Sequence, residues 1–193
     1  MEPQLTHTRV AGLVLAAGQG RRAGGPKALR VTAAGQEWVV HAVRVLLDGG
    51  CDEVHAVIGA AAEQVRAVLA DQDVRVVEAA DWRHGMGASL RAGLSALQDA
   101  DADIACVHLV DLPDVGPDVV TRVLQAAAGP DTLARAAYIG VPGHPVLLGR
   151  AHWPAVSTGP VADRGARELM ARHPPRLVEC GDLATGCDVD RFR

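Results

Sequence analysis

Lysine is almost missing from this chain. Of 19 lysine and arginine side chains in 193 residues, Lys27 is the single lysine. A sequence that uses arginine wherever any cation will do, and lysine once, singles out that ammonium as a compact, mobile point charge rather than a planar fork. An excess of positive charge is missing too. With 19 cationic and 23 acidic side chains the formal charge is −4, which argues against a sequence-independent grip on a nucleic-acid backbone as the main activity. No apolar run approaches the ~20 residues that span a bilayer. The opening Met1-Glu2-Pro3-Gln4 lacks the basic and apolar pattern of a secretory signal, so a cytoplasmic location is expected. The four cysteines, at 51, 106, 180 and 187, show no Cys-x-x-Cys spacing; reduced, mostly buried thiols are expected. The eight histidines show no paired ligand spacing, which argues against a structural zinc.

Apolar residues, by contrast, make up 49% of the chain, enough for one substantial core and a single domain over residues 1–193. Short continuous apolar runs at residues 10–15, 53–58, 74–78 and 104–110 read as buried strands, too short for helices and too uniformly apolar for a sheet wet on one face. Between them, residues 38–47, 61–69 and 88–97 carry apolar side chains at helical spacing,. Gly116-Pro117-Asp118 opens a fourth helix, because proline's fixed backbone angle suits a first helical turn,. Beyond residue 128 the pieces shorten: strands at 133–138, 146–148 and 176–180 and a helix at 166–172. This alternation predicts a three-layer α/β domain with a mostly parallel sheet, its sites at the carboxyl ends of the strands.

The stretch LVLAAGQGRRAGGPKAL, residues 13–29, concentrates four glycines, two arginines and the lysine directly after the first strand. Gly18, Gly20 and Ala23 superficially match the dinucleotide fingerprint, yet Gly24-Gly25-Pro26 follows where a helix should begin,. A P-loop fails as well, since Ala28 follows the lysine in place of serine or threonine,. What remains is a long loop whose backbone N–H groups can wrap a polyphosphate while Arg21, Arg22 and Lys27 neutralise it. Asp111 ends the fourth apolar run, where a carboxylate can hold a divalent cation against phosphate oxygens,.

LAAGQGRRAGGPKAL resembles the signature loop of nucleotidyltransferases. Together with GMGASLRAGL, DLPDV and GHPVLL, and a later DRGARELM and DVD in the same order, it resembles the MobA-like NTP transferase family. Within that family the likeness is greatest to the molybdenum cofactor cytidylyltransferase group, whose Ala-Ala-Gly this chain carries where guanylyl relatives have Ala-Gly-Gly. Two positions depart from the pattern: Ala23 stands for a usual methionine and Ala79 for a usual asparagine, both near the nucleotide.

The resemblance implies a Rossmann-like, GT-A-like fold and the transfer of a nucleoside monophosphate, with CMP from CTP favoured, onto the phosphate of a pterin such as molybdopterin. It implies Mg²⁺ as cofactor, and passing contact with a molybdoenzyme or its chaperone. Ala16, Ala17 and Gly18 would meet the nucleotide through the main chain, and Arg22 and Lys27 the triphosphate. Asp111 would hold the metal with Asp190, or with Asp188. Gly85, Gly87 and Ser89 would edge the nucleobase, Ser89 serving also as a helix cap. His144 would face the acceptor, with Asp163 and Arg167 as further candidates. Trp82 reads as core packing beneath the base loop. The alternatives are a guanylyltransferase or sugar-phosphate nucleotidyltransferase on the same fold, and a non-catalytic nucleotide- or cofactor-binding chaperone.

Overall fold

The computed structural model describes residues 8–20, 24–157 and 164–189. Arg22, Asp163 and Asp190 therefore lie outside the described residues, as do Arg21 and Ala23.

The first apolar run forms β1 (Val10–Leu15) and the second forms β2 (Glu53–Ile58), at the predicted bounds. β3 (Arg75–Glu78) and β4 (Ile104–Leu109) follow, each one residue shorter than its apolar run. Helices α1 (Trp38–Asp48), α2 (Ala62–Val68), α3 (Met86–Ala96) and α4 (Pro117–Leu124) connect and follow them. Then come β5 (Leu133–Tyr138), β6 (Val141–Gly149), α5 (Trp153–Ser157), α6 (Arg164–Arg172) and β7 (Arg176–Glu179).

The described strands form a seven-stranded sheet in the order β3-β2-β1-β4-β6-β5-β7. β1 to β4 are parallel, β6 runs antiparallel to both β4 and β5, and β7 is parallel to β5. Alternation along β1 divides the core. Val10 and Val14 pack with α1, α2 and α4 on one face, while Ala11, Leu13 and Leu15 pack with α3, α5 and α6 on the other. Glycines set the closeness of both layers. A Cβ on Gly12 would lie 2.9 Å from Leu46 of α1, and one on Gly93 of α3 would lie 2.6 Å from Leu13. Among the described residues no helix is long and apolar enough to cross a membrane. All four cysteines are free, and Cys187 alone is exposed.

Four elements differ from expectation by more than a residue; α6 starts at Arg164, two residues before the expected 166. α3 begins at Met86, two residues early, because Gly85 takes φ 104°, a backbone angle open to glycine, and turns the chain into the helix at once,. β6 begins at Val141 rather than 146, since the turn-like Val141-Pro142-Gly143-His144-Pro145 still pairs with β5. A register shift between Arg135 and Ala137 accompanies these prolines, which cannot donate to a ladder,. α5 is too short for its pattern to register in sequence; it forms because Trp153 is fully buried and its indole N–H donates to the Leu148 carbonyl at 2.8 Å.

Arg150, just after β6, ties this half of the fold to the other. Its guanidinium donates to the carbonyls of Ala102 (2.7 Å), Gln98 (3.3 Å), Leu97 (3.4 Å) and Ala100, and lies 4.7 Å from the Trp153 ring centroid. A cation gathered against carbonyls of the turn that leaves α3 acts where the helix end favours positive charge,. Arg150→Ala is expected to lower the unfolding free energy by about 3 kcal/mol, the scale of charged hydrogen bonds lost to buried acceptors. Arg150→Lys should recover little, because one ammonium cannot span those carbonyls. Urea unfolding of the three proteins is the measurement.

Candidate active site

The glycine-rich segment leaves β1 at the carboxyl edge of the sheet. Its first residue, Ala16, is committed to the sheet: its N–H donates to the Val57 carbonyl at 2.9 Å. Ala17 accepts from the Ala60 N–H at 3.0 Å, so the loop lifts away only from Gly18. Gly20 takes φ 60° and its carbonyl receives the Gly25 N–H at 3.3 Å. A Cβ at Gly20 would lie 1.9 Å from the Gly25 carbonyl oxygen, so no other residue fits this crossing. The chain then enters a single 3-10 turn, Lys27–Leu29, anchored by the buried Ala28.

That anchorage aims Lys27 across the sheet edge. Its Nζ donates to Asp111 Oδ2 at 2.8 Å, with the two side chains 14% and 20% exposed. Asp111 is placed by the parallel pairing of β4 with β1, which continues weakly as Val110 N–H to the Leu15 carbonyl at 3.4 Å. The ion pair lies in the wall of a cavity of about 450 Å³. Leu15, Ala17, Gly18, Gln19 and Gly20 form one side of it, Leu109, Val110 and Asp111 the base, and Trp82, Arg83, Gly85, Met86 and Ser89 the other side. A second cavity of about 510 Å³ adjoins it across Gln19, Trp82 and Arg83, and is closed by Gly24, Gly25, Pro26, Ala60 and Ala61.

The structure therefore brings together Ala17, Gly18, Lys27, Gly85, Ser89 and Asp111. Ala16 and Gly87 are buried beside this cavity but do not line it. Ser89 is not a cap: Gly85 occupies the N-cap position and Ser89 lies in the second turn of α3, 5% exposed. His144 does not line the cavity; it sits on β6 near enough to Asp111 for the carboxylate to act on its charge. The expected metal partners fall on the C-terminal segment, which the Val189 N–H holds against the Asp111 carbonyl at 3.1 Å. Asp188 is exposed there, and Asp190 lies beyond the described residues. Among the described residues no three metal-ligating side chains cluster.

Trp82 does more than pack. It rests on Gly59, where a Cβ would come within 2.5 Å of its Cγ, and it lines both cavities. Arg83 was not singled out by any motif; its only signal is its place beside that tryptophan in the loop after the third strand.

Behind the ion pair lies a histidine group. His108, 1% exposed on β4, has its pKa pushed down to about 3, first by burial, then by the neighbouring His144 and His41, with Asp114 opposing. Its Nδ1 has no hydrogen-bond partner among the described residues. His144 is held down to about 4 by burial and by Arg135, with Asp111 opposing.

A Rossmann-like sheet whose glycine-rich first loop leads to a lysine that meets an aspartate just past the fourth strand is the arrangement of a nucleotidyltransferase. The chain belongs to the MobA-like NTP transferase domain family, matched over residues 12–177. It is 37% identical over 191 residues to a nicotine blue oxidoreductase from Paenarthrobacter nicotinovorans, covering 94% of this chain and 92% of that one. Among solved structures it superposes on a nucleotidyl transferase from Methanothermobacter thermautotroptrophicus with a TM-score of 0.80 at 25% identity, covering 96% of this chain and 94% of the other. The Rv0371c protein of Mycobacterium tuberculosis H37Rv, solved in complex with manganese, aligns with a TM-score of 0.72 at 29% identity over 94% of each chain.

The histidines make acid stability a test of this arrangement. Both folded pKa values lie below the ordinary value near 6.5, so the unfolded chain binds more protons as the pH falls. Stability should be full above about pH 6.5 and decline toward pH 4, by up to about 3 kcal/mol per group. His108→Leu removes one of these titrating groups, and its unfolding free energy should fall less steeply than that of the wild type between pH 6.5 and 4.5,. Urea unfolding across that range reads the slope.

Proposed function

We propose that this chain is a Mg²⁺-dependent nucleotidyltransferase that moves CMP from CTP onto the phosphate of a pterin cofactor such as molybdopterin, releasing pyrophosphate. The observation that carries the reading is the Lys27–Asp111 pair at 2.8 Å, set in a cavity whose other walls are the glycine loop and the residue 82–89 segment. The chemistry is in-line displacement: an acceptor phosphate oxygen forms a bond to the α-phosphorus while the bond to pyrophosphate breaks. It asks mainly for positioning and charge neutralisation.

In this reading the backbone around Gly18 and Gly20 cradles the phosphates, and Lys27, with Arg22, neutralises them as charge gathers on the departing pyrophosphate. Asp111 supplies the hard carboxylate oxygen that Mg²⁺ or Mn²⁺ takes, and the C-terminal segment passing its carbonyl carries Asp188 and Asp190 as the second carboxylate,. Manganese in the mycobacterial relative supports a divalent ion. When bound, that ion would draw charge from the phosphate oxygens. Gly85 and Ser89 edge the base with Gly87 buried behind them, and His144, neutral and outside the cavity wall, lies on the acceptor side without adding positive charge. Residues 1–193 are read as one domain, in the cytoplasm, making passing contact with a molybdoenzyme or its chaperone.

The oxidoreductase name of the 37% identical relative favours a second reading, in which the same cleft serves a redox reaction. Pyrophosphate separates the two. With molybdopterin, Mg²⁺ and each nucleoside triphosphate in turn, pyrophosphate should appear fastest with CTP. Lys27→Ala and Asp111→Asn should each lower kcat/KM by about 10²–10³, the cost of removing one charge-stabilising group. No pyrophosphate from any triphosphate would exclude the transferase, and a rate fastest with GTP would assign the guanylyl alternative.

A further inference from the structure

Arg83 is the cation in this cleft that no carboxylate among the described residues engages. It is exposed, its guanidinium carbon lies 4.9 Å from the Trp82 ring centroid, and it lines both cavities. A guanidinium over an indole spends a face on the ring and keeps its planar N–H edge for hydrogen bonding. The indole beneath is seated on one side against the bare backbone of Gly59, where even a Cβ would collide with it.

The sheet order tells which part of a nucleotide meets that edge. Asp111 follows β4, and Trp82, though it comes after β3 in the chain, rests on Gly59 at the end of β2, two strand steps away in the order β2-β1-β4, or about 10 Å,. The phosphate and metal end of the cleft is fixed by Lys27 and Asp111. The far end, walled by Trp82, Arg83, Gly85 and Ser89, is small-featured and aromatic, suited to a flat ring,. Resting on the nucleotide reading above, we infer that Arg83 is a specificity-determining residue that selects a nucleobase presenting two adjacent acceptors on one edge.

Two bases have such an edge: cytosine through O2 and N3, guanine through O6 and N7. Uracil places an N–H between its carbonyls, and adenine sets its amino group between N1 and N7 and leaves N3 without an adjacent acceptor, so neither offers the fork a pair of acceptors side by side. Either mismatch leaves an arginine N–H unpaired, which is how a polar site rejects a near-isostere.

The test is equilibrium binding of CTP, GTP, UTP, ATP and inorganic tripolyphosphate, with Mg²⁺, to the wild-type chain, Arg83→Ala and Arg83→Lys. The wild type should prefer CTP or GTP over UTP and ATP by about tenfold or more, and which of the two leads identifies the base. Arg83→Ala should bring the four affinities to within about threefold of one another and leave tripolyphosphate binding unchanged, and Arg83→Lys should stay equally flat for want of the fork. An equal weakening of all five ligands would make Arg83 a phosphate anchor and overturn the inference. So would a wild type that binds the four alike, or a preference that survives in Arg83→Ala. If the wild type binds none of the triphosphates, the nucleotide reading itself fails, a result distinct from those that remove Arg83 alone.

Discussion

Lys27 and Asp111 stand 84 residues apart and meet at 2.8 Å, and that contact is possible only if β1 and β4 are neighbours with their carboxyl ends level. One ammonium and one carboxylate, each mostly withdrawn from water, attract more strongly than a surface pair worth ~0–1 kcal/mol. Losing one partner of a fully buried pair costs about 3–5 kcal/mol, an upper bound for this partly exposed one. The pair closes the cleft at its base and fixes where negative phosphate and a divalent cation would have to compete for the same two groups. Every role assigned to the glycine loop and to the residue 82–89 segment is measured from that point.

The rest of the fold holds this edge rigid. Close approach of α1 at Gly12 and of α3 at Gly93 clamps β1 from both faces, so the loop that follows departs from a fixed strand. On the other side of β4, β6 runs antiparallel, which brings His144 toward the site from the opposite direction to the parallel strands. Arg150 at the end of β6 then fastens the end of α3 through four carbonyls. Because Gly85 caps α3 at Met86, the same helix that is pinned at its far end presents the wall of the cavity at its near end. Behind the site, burial keeps His108 and His144 neutral at ordinary pH, so the region around Asp111 carries fewer competing positive charges than its histidines suggest.

Much of this was legible from residue order. Continuous apolar runs marked β1 to β4 within a residue; β1, β2 and β4 are buried as expected, whereas β3, at the edge of the sheet, exposes Arg75 and Glu78 and is only half-buried between them,. That Gly18, Lys27, Gly85, Ser89 and Asp111 belong to one region was legible too, and they line one cavity, since glycine where backbone must approach, and charge near strand ends, are local choices. Less readable was the half after residue 128. Strand β6 hides in a proline-containing stretch whose pairing depends on a register shift, and α5 exists because one tryptophan is buried. Trp82 looked like core and proved to be core and wall at once, a distinction that rests on Gly59 from a different strand.

The amino-acid sequence alone determined the element types, the parallel start of the sheet, the family and the lone lysine, because periodicity, turn residues and motif order are properties of neighbours along the chain. Tertiary structure alone decided that Lys27 reaches Asp111, that Ala16 spends its N–H on Val57, and that Ser89 lies inside α3 rather than capping it. It alone put Arg83 over Trp82 between two cavities. Those outcomes follow from distances between segments that are far apart in the chain, set by strand order and by how closely helices can approach the sheet, and no local pattern encodes them.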